Sequence, residues 1–453
     1  MKLKRKKPVN LERKHEALTA YLMVFPSILI ILAMALWPVI SSFWNSLFDL
    51  RLNHPAKNKI TLEYRINLER FVDTQYYINS IFRQIRASEE LNSDPAKVDE
   101  IYNGLVELRE NLKIQPGIID KYIKVEEILN NMKPVTDEDI RYAVVSKDFA
   151  EHYLAKVESA RNGFQALSKA NDDAADQGAE LMEELRTSLL EPNYIGFDNY
   201  ARYAGELGVQ ENGEIGRLGK SLINTIIITV VSVFFELVLG IIIALIINRP
   251  YVGRGLTRAA VLVPWAVPTV VSARMWAFLY DGQTGIFAHW LVKLGIIKDG
   301  GVLLSTKAGA FFSVIFADVW KTTPYMALLL LAGLQGISDD LYEAASIDGA
   351  NRIKQFFHIT LPLLKPTIVV SLLFRTLDAF RIFDLIFVLT GGGPGNSTES
   401  ISMYAYTTMF SQMEFGRGAT LSIVVFLCVA LISFIYIKFL GADVMGGRLE
   451  QRR

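Results

Sequence analysis

Residues 343–362 read EAASIDGANRIKQFFHITLP, a short polar and basic segment between two long apolar runs. Glu343, Ala344 and Ala345 favour helix, and Asp348-Gly349 is turn chemistry, so the segment divides at the glycine. Beyond it, Ile353, Phe356, Phe357 and Ile359 share one face of a second, amphipathic helix that Pro362 is expected to stop. The first helix offers Leu341, Tyr342, Ala345 and Ile347 as an apolar face, while Glu343 and Asp348 are placed to cap or to pair with basic groups. Loops between membrane helices are usually shorter and less patterned. This one has the make-up of a handle for another protein.

Working outward, apolar residues make up 51% and charged residues 21% of the 453-residue chain. The two figures fit together only if charge is segregated, and most of it falls between Arg51 and Glu191. A bilayer core needs roughly 20 apolar residues per helix. The stretches 18–46, 220–247, 256–280, 308–334, 367–390 and 419–440 qualify, predicting an all-α, polytopic membrane protein with six transmembrane helices. The first lacks a small-residue cleavage site beyond it, so it reads as an uncleaved span rather than a signal peptide.

Basic residues of the short flanks set the direction. Lys2, Lys4, Arg5, Lys6, Lys7, Arg13 and Lys14 precede the first span; Arg249, Arg254 and Arg258 follow the second. Arg352, Lys354 and Lys365 flank the fifth, and Arg448, Arg452 and Arg453 follow the sixth. All face the cytoplasm if both termini do, which puts the 343–362 segment there too. The block 49–217 then lies outside, where long translocated domains escape the charge rule. Its apolar spacings (Ile101, Leu105, Leu108, Leu112; Ile118 through Leu129; Phe149 through Leu167) predict helical hairpins, punctuated by Pro116-Gly117 and Pro134, with a helix start at Thr136. It suits either a docking platform or a spacer. The expected division is 1–17 tail, 18–48 first span, 49–217 insert, 218–440 core with the handle at 341–366, and 441–453 tail.

Chemistry is not indicated. GEIGRLGKS at 213–221 has five residues between Gly213 and Gly219, where a phosphate loop needs four before Gly-Lys. His15, His54, His152, His289 and His358 are scattered without ligand spacing, and the single Cys428 excludes an internal disulfide and a thiolate zinc site. No catalytic residue, metal or cofactor is expected, and no basic-aromatic groove for nucleic acid is present.

The pattern Glu343-Ala344-Ala345, then Gly349, Ile359, Leu361 and Pro362, resembles the EAA loop of permease subunits in binding-protein-dependent ABC importers. GFDNY (196–200), Asn224-Thr225, VPWAVPTVVSARMW (263–276), WKTTPYMALLLLAGLQ (320–335) and LTGGGPGNSTES (389–400) are similar to the maltose- and trehalose-type branch. The resemblance implies coupling to two ATPase subunits through Glu343, Ala344, Ala345, Asp348, Gly349, Ile359, Leu361 and Pro362. It also implies a second, homologous permease, an extracytoplasmic sugar-binding protein and a cell-membrane location among lipid.

Polar groups within a bilayer are costly and therefore mark candidate sites. Span two carries Asn224 and Glu236, the latter expected to pair with a neighbouring helix. Span four carries Asp318, Trp320, Lys321, Thr322, Thr323 and Tyr325, with Pro324 freeing a carbonyl upstream. Span five carries Arg375, Asp378, Arg381 and Asp384, the last three expected on one helical face. Trp320 and Tyr325 supply ring faces for a sugar, and Asp318 and Arg381 supply forked hydrogen-bonding groups. The maltose-type resemblance implies sugar contacts at Asp318, Lys321, Thr322, Tyr325, Asp378, Ala379 and Ile382, although that branch's span-five asparagines are missing here. The span-five charges equally suit an ion network without a ligand. The glycine-rich 389–400 loop should end span five and serve as an outer gate, a receptor contact or a plain turn. Lys321 and Arg381 also suit an anionic solute such as glycerol phosphate or an acidic oligosaccharide. A membrane sensor with 49–217 as its ligand domain is the more distant reading.

Overall fold

Among the described residues five helices are long and apolar enough to cross a membrane: Thr19–Ser46, Arg217–Asn248, Lys307–Leu334, Arg352–Phe380 and Phe415–Lys438, here called spans one, two, four, five and six. The computed structural model describes residues 11–87, 95–167, 173–211 and 213–440. Lys2 to Lys7 and Arg448 to Arg453, which carry much of the orientation argument, lie outside the described residues. The chain divides into two units, one of residues 1–43, 198–412 and 418–453, the other of 44–197 with 413–417.

In the first unit the expected third span, 256–280, is not one helix. It is Arg254–Val261, Val263–Ala266 and Thr269–Leu279, interrupted where Val267 and Pro268 are extended. A proline ring crowds the residue before it out of the helical region, so Val267 cannot continue the helix into Pro268. Span five is also displaced from the expected 367–390. Its helix starts at Arg352, passes Pro362 through a wide π turn at Phe356–Thr360, and ends at Phe380. The wider turn bonds Leu361 N to Phe356 O and carries the helix past Pro362 instead of stopping it. Residues 381–383 then break the helix before a short one at Asp384–Leu389.

Spans two and four cross closely. A Cβ on Gly240 would lie 2.8 Å from Met326 Cγ, so glycine is what permits the approach. Trp276, Tyr280, Phe287, Phe316 and Trp320 form an aromatic cluster among the third span, the helix Ile286–Lys293 and span four.

The second unit is mostly helical, but not purely hairpins. A small antiparallel sheet joins its ends in the order β2-β1-β3, with β1 Arg65–Asn67, β2 Tyr142–Val144 and β3 Leu189–Leu190. Ile66 pairs with Ala143 on one side and Leu189 on the other. Helices Leu68–Ala87, Pro95–Ile114, Ile119–Asn130, Lys147–Leu167 and Asp173–Ser188 enclose a core of their own. The stripe Ile101, Leu105, Leu108 and Leu112 is buried along its whole length, as i, i+4, i+7 spacing dictates. The start expected at Thr136 falls one residue later, where Asp137 Oδ1 accepts from Asp139 N. Tyr153 Oη donates to Leu185 O at 2.9 Å, and burial pushes its hydroxyl above the usual phenol range.

Leu108 has lost nearly all solvent contact. Leu108→Ala should therefore destabilise this unit by about 2–5 kcal/mol, the usual cost of a core cavity. Limited proteolysis of the full chain should show 95–167 cut faster while the spans stay protected.

Candidate functional site

A cavity of about 430 Å³ opens in the first unit where two helix breaks face each other. One wall is the 265–269 break of the third span; the other is 378–385, across the end of span five. Span four closes the space with Asp318, Lys321 and Thr322. Irregular backbone is tolerated at membrane depth only where it is buried in protein or lines a polar space, so two facing breaks mark this as such a space.

Arg375 organises its charges. The side chain is 2% exposed and donates Nε to Glu236 Oε2 at 2.5 Å and Nη2 to Glu236 Oε1 at 2.9 Å. Nη2 also reaches Asp318 Oδ2 at 2.5 Å, and Nη1 reaches Asp378 Oδ2 at 3.1 Å. One guanidinium thus joins spans two, four and five. Thr322 Oγ1 lies 2.7 Å from Glu236 Oε1, the oxygen that also accepts from Nη2, and 2.6 Å from Asp318 O, between which its one proton is shared. Lys321 is held differently: Nζ donates to Val267 O at 2.6 Å and to Trp265 O at 3.4 Å, filling the acceptors that the Pro268 break leaves free.

The structure sorts the residues singled out from sequence. Asp318, Lys321, Thr322, Asp378, Ala379, Arg381 and Ile382 line the cavity. Trp320 does not; it packs edge-on against Trp276 with centroids 5.4 Å apart. Tyr325 does not line it either, but stacks on Trp265 at 5.6 Å and 15°. The aromatic walls are Trp265 and Phe383 instead. Asp378, Arg381 and Asp384 do not share one continuous face, because the helix ends between them: Arg381 Nε donates to Leu377 O, and Asp384 begins the next helix. Glu236 does pair with a neighbouring helix. Trp265 went unassigned in the sequence reading, although Pro264 and Pro268 on either side of it are a legible sign of a broken membrane helix.

The handle is a helix at Asp339–Ile347 joined to the start of span five. Ser338 caps its first turn. Asp348 forms its C-cap, and Gly349 follows with φ +79. Ala350 N bonds to Ala345 O and Gly349 N to Ser346 O, the paired closure that ends a helix through a left-handed residue. A Cβ at Gly349 would meet nothing, so the backbone angle alone demands glycine there. Asn351 Oδ1 then accepts from Lys354 N and starts the next helix. Gln355 Nε2 reaches Tyr342 O, Ser346 Oγ and Ala350 O, while Tyr342 Oη meets Thr360 Oγ1 at 3.0 Å. The expected apolar face is therefore split. Tyr342 and Ala345 turn towards span five, whereas Leu341, Glu343, Ala344 and Ile347 are exposed, Ile347 by 87%. Ile359 and Leu361 are half-buried in the joint, and Pro362 is exposed.

Among the described residues no group of three or more His, Cys, Asp or Glu could hold a metal ion.

Residues 236–443 match the family model described as the inner membrane component of binding-protein-dependent transport systems. Over 252 residues the chain is 46% identical to the trehalose/maltose transport system permease protein MalF of Thermococcus litoralis, covering 56% of this chain and 81% of that one. The trehalose transport system permease protein SugA of Mycobacterium tuberculosis is 44% identical over 50% of this chain and 72% of its own. The sulfoquinovosyl glycerol transport system permease protein SmoG of Agrobacterium fabrum is 36% identical over 56% and 79%. With four-fifths of a relative matched at this identity, the chain belongs to the family of inner membrane components of binding-protein-dependent transport systems.

Proposed function

We propose that the chain is the permease subunit of an ATP-driven importer, and that the 430 Å³ cavity holds a sugar during its passage across the cell membrane. The observation that carries this reading is the meeting of two broken helices over a polar, charge-balanced space. Asp318, Lys321, Thr322, Asp378 and Arg381 offer donors and acceptors to hydroxyls there, and Trp265 and Phe383 offer ring faces. Ala379 and Ile382 shape the wall between them. The names of the relatives support a disaccharide such as trehalose or maltose.

The handle then docks to an ATPase through its exposed Leu341, Glu343, Ala344 and Ile347. Two such ATPases, a second homologous permease and an extracytoplasmic sugar-binding protein complete the assembly, with both termini of this chain in the cytoplasm and 49–217 outside. Closure of the ATPases on nucleotide draws the handles together, and the helices rock about the central cavity from one side to the other. The chain moves its solute unchanged and is not an enzyme. A second reading, an anionic solute, is favoured by Lys321 and Arg381 at the same wall. Competition of trehalose uptake by glycerol phosphate separates the two.

Asp318→Asn and Lys321→Met should each reduce trehalose or maltose uptake by about tenfold, the weight of one charge-assisted contact. Uptake is read per molecule of inserted complex, because Asp318→Asn also removes one of the acids that match Arg375 and should lower membrane abundance. Unchanged uptake at limiting sugar in both would remove the cavity as the solute site. Gly349→Asp should insert normally but lose ATPase on co-purification, since the left-handed turn costs about 1 kcal/mol with any side chain and the new carboxylate joins the docking face. Retention of ATPase and of uptake by that variant would sink the coupling assignment.

A further inference from the structure

The loop 389–400 is gripped by one face of span two. Arg217, Ser221, Asn224 and Thr225 follow the spacing that aligns side chains along a helix. Glu399 is buried and accepts from Arg217 through both oxygens, Nε to Oε2 at 2.9 Å and Nη2 to Oε1 at 2.7 Å. Ser221 Oγ donates to Oε2 at 3.3 Å. Asn224 Nδ2 donates to the carbonyls of Glu399 and Asn396, and Thr225 Oγ1 accepts from Ile401 N. The Arg217 guanidinium also lies 4.2 Å over the Tyr404 ring. A plain connecting turn would need none of this.

Ser400 carries the grip inward. Its Oγ accepts from Met403 N, capping the helix Ile401–Tyr406, and donates to Ile382 O at 2.7 Å. Ile382 belongs to the break after span five and lines the cavity beside Arg381 and Phe383. The local sequence there, DAFRIFD, holds no proline or glycine that would stop a helix. The break leaves the Ile382 carbonyl without a helical partner, and Ser400 supplies one.

We propose that Arg217, Glu399 and Ser400 are positioning residues for the cavity. By clasping the 389–400 loop to span two, they hold the 381–383 break, and with it Arg381 and Phe383, in the shape that receives the solute. The solute part of this statement rests on the reading of the cavity given above.

The test uses the full chain in membranes with Cys428→Ser, a reporter cysteine by Phe383→Cys, and a control across the cavity by Thr269→Cys. The rate of modification by a small charged methanethiosulfonate is read at each. Arg217→Met and Ser400→Ala should change the rate at 383 by about fivefold and at 269 by less than about twofold, the bias expected from losing one buried hydrogen bond at the break. Ser400→Thr, which keeps the hydroxyl, should restore the parent rate. If Arg217→Met is not recovered from membranes, Arg217→Lys carries the same expectation, because it keeps the charge but cannot span both carboxylate oxygens. Equal rates at 383 with and without the clasp, or an equal change at both positions, would overturn the proposal. The solute takes no part in this assay. Normal uptake by both Asp318→Asn and Lys321→Met would strike the cavity reading while leaving the clasp to be judged on the labelling rates.

Discussion

A guanidinium buried among apolar helices must be matched by acids on every side it presents, and Arg375 is matched by three. Two of these, Glu236 and Asp318, come from spans two and four and are themselves nearly inaccessible. Removing one member of such a group leaves the others charged and unpaired, at a cost of about 3–5 kcal/mol. That penalty ties the register of three membrane helices to one another. The cavity is shaped by what remains: Asp318 is turned towards Arg375, Thr322 towards Glu236, and Lys321 is left to secure the broken third span.

The same helix that carries Arg375 also begins at the handle. Residues 352–380 form one continuous helical run of 29 residues, roughly 40 Å at the usual rise. Gln355 and Tyr342 bind the Asp339–Ile347 helix to its near end, while Asp378 and Ala379 line the cavity at the far end. The proposed coupling segment and the cavity wall are thus the two ends of one helix. The π turn at Phe356–Thr360 and the proline at Pro366 are irregularities on the way, and both lie nearer the Asp339–Ile347 helix than the cavity.

Much of the site was legible because polar residues in apolar runs are conspicuous. Asp318, Lys321 and Thr322 stood out in span four for that reason, and all three reach the cavity. Trp320 and Tyr325 do not line the cavity, because composition reveals a ring but not the direction in which it points. Both found aromatic partners, Trp276 and Trp265, that no periodicity in span four predicts. Pro362 was read as a stop because proline usually ends a helix, yet a π turn absorbed it. In the insert, the helical stripes were clear from their spacing, whereas the strands at Arg65–Asn67, Tyr142–Val144 and Leu189–Leu190 are too short to show alternation.

Local chemistry alone determined the apolar spans one, two, four and six, the Asp348-Gly349 turn and the break before Pro268. Each follows from the bonding or steric limits of a few adjacent residues. Tertiary structure decided what those limits leave open: that Arg375 rather than Arg381 gathers the acids, that Trp265 faces the cavity, and that span five breaks at 381–383. The last has no cause in its own residues. The carbonyl of Ile382, left outside any helix, is met by Ser400, eighteen residues further on, which donates to it.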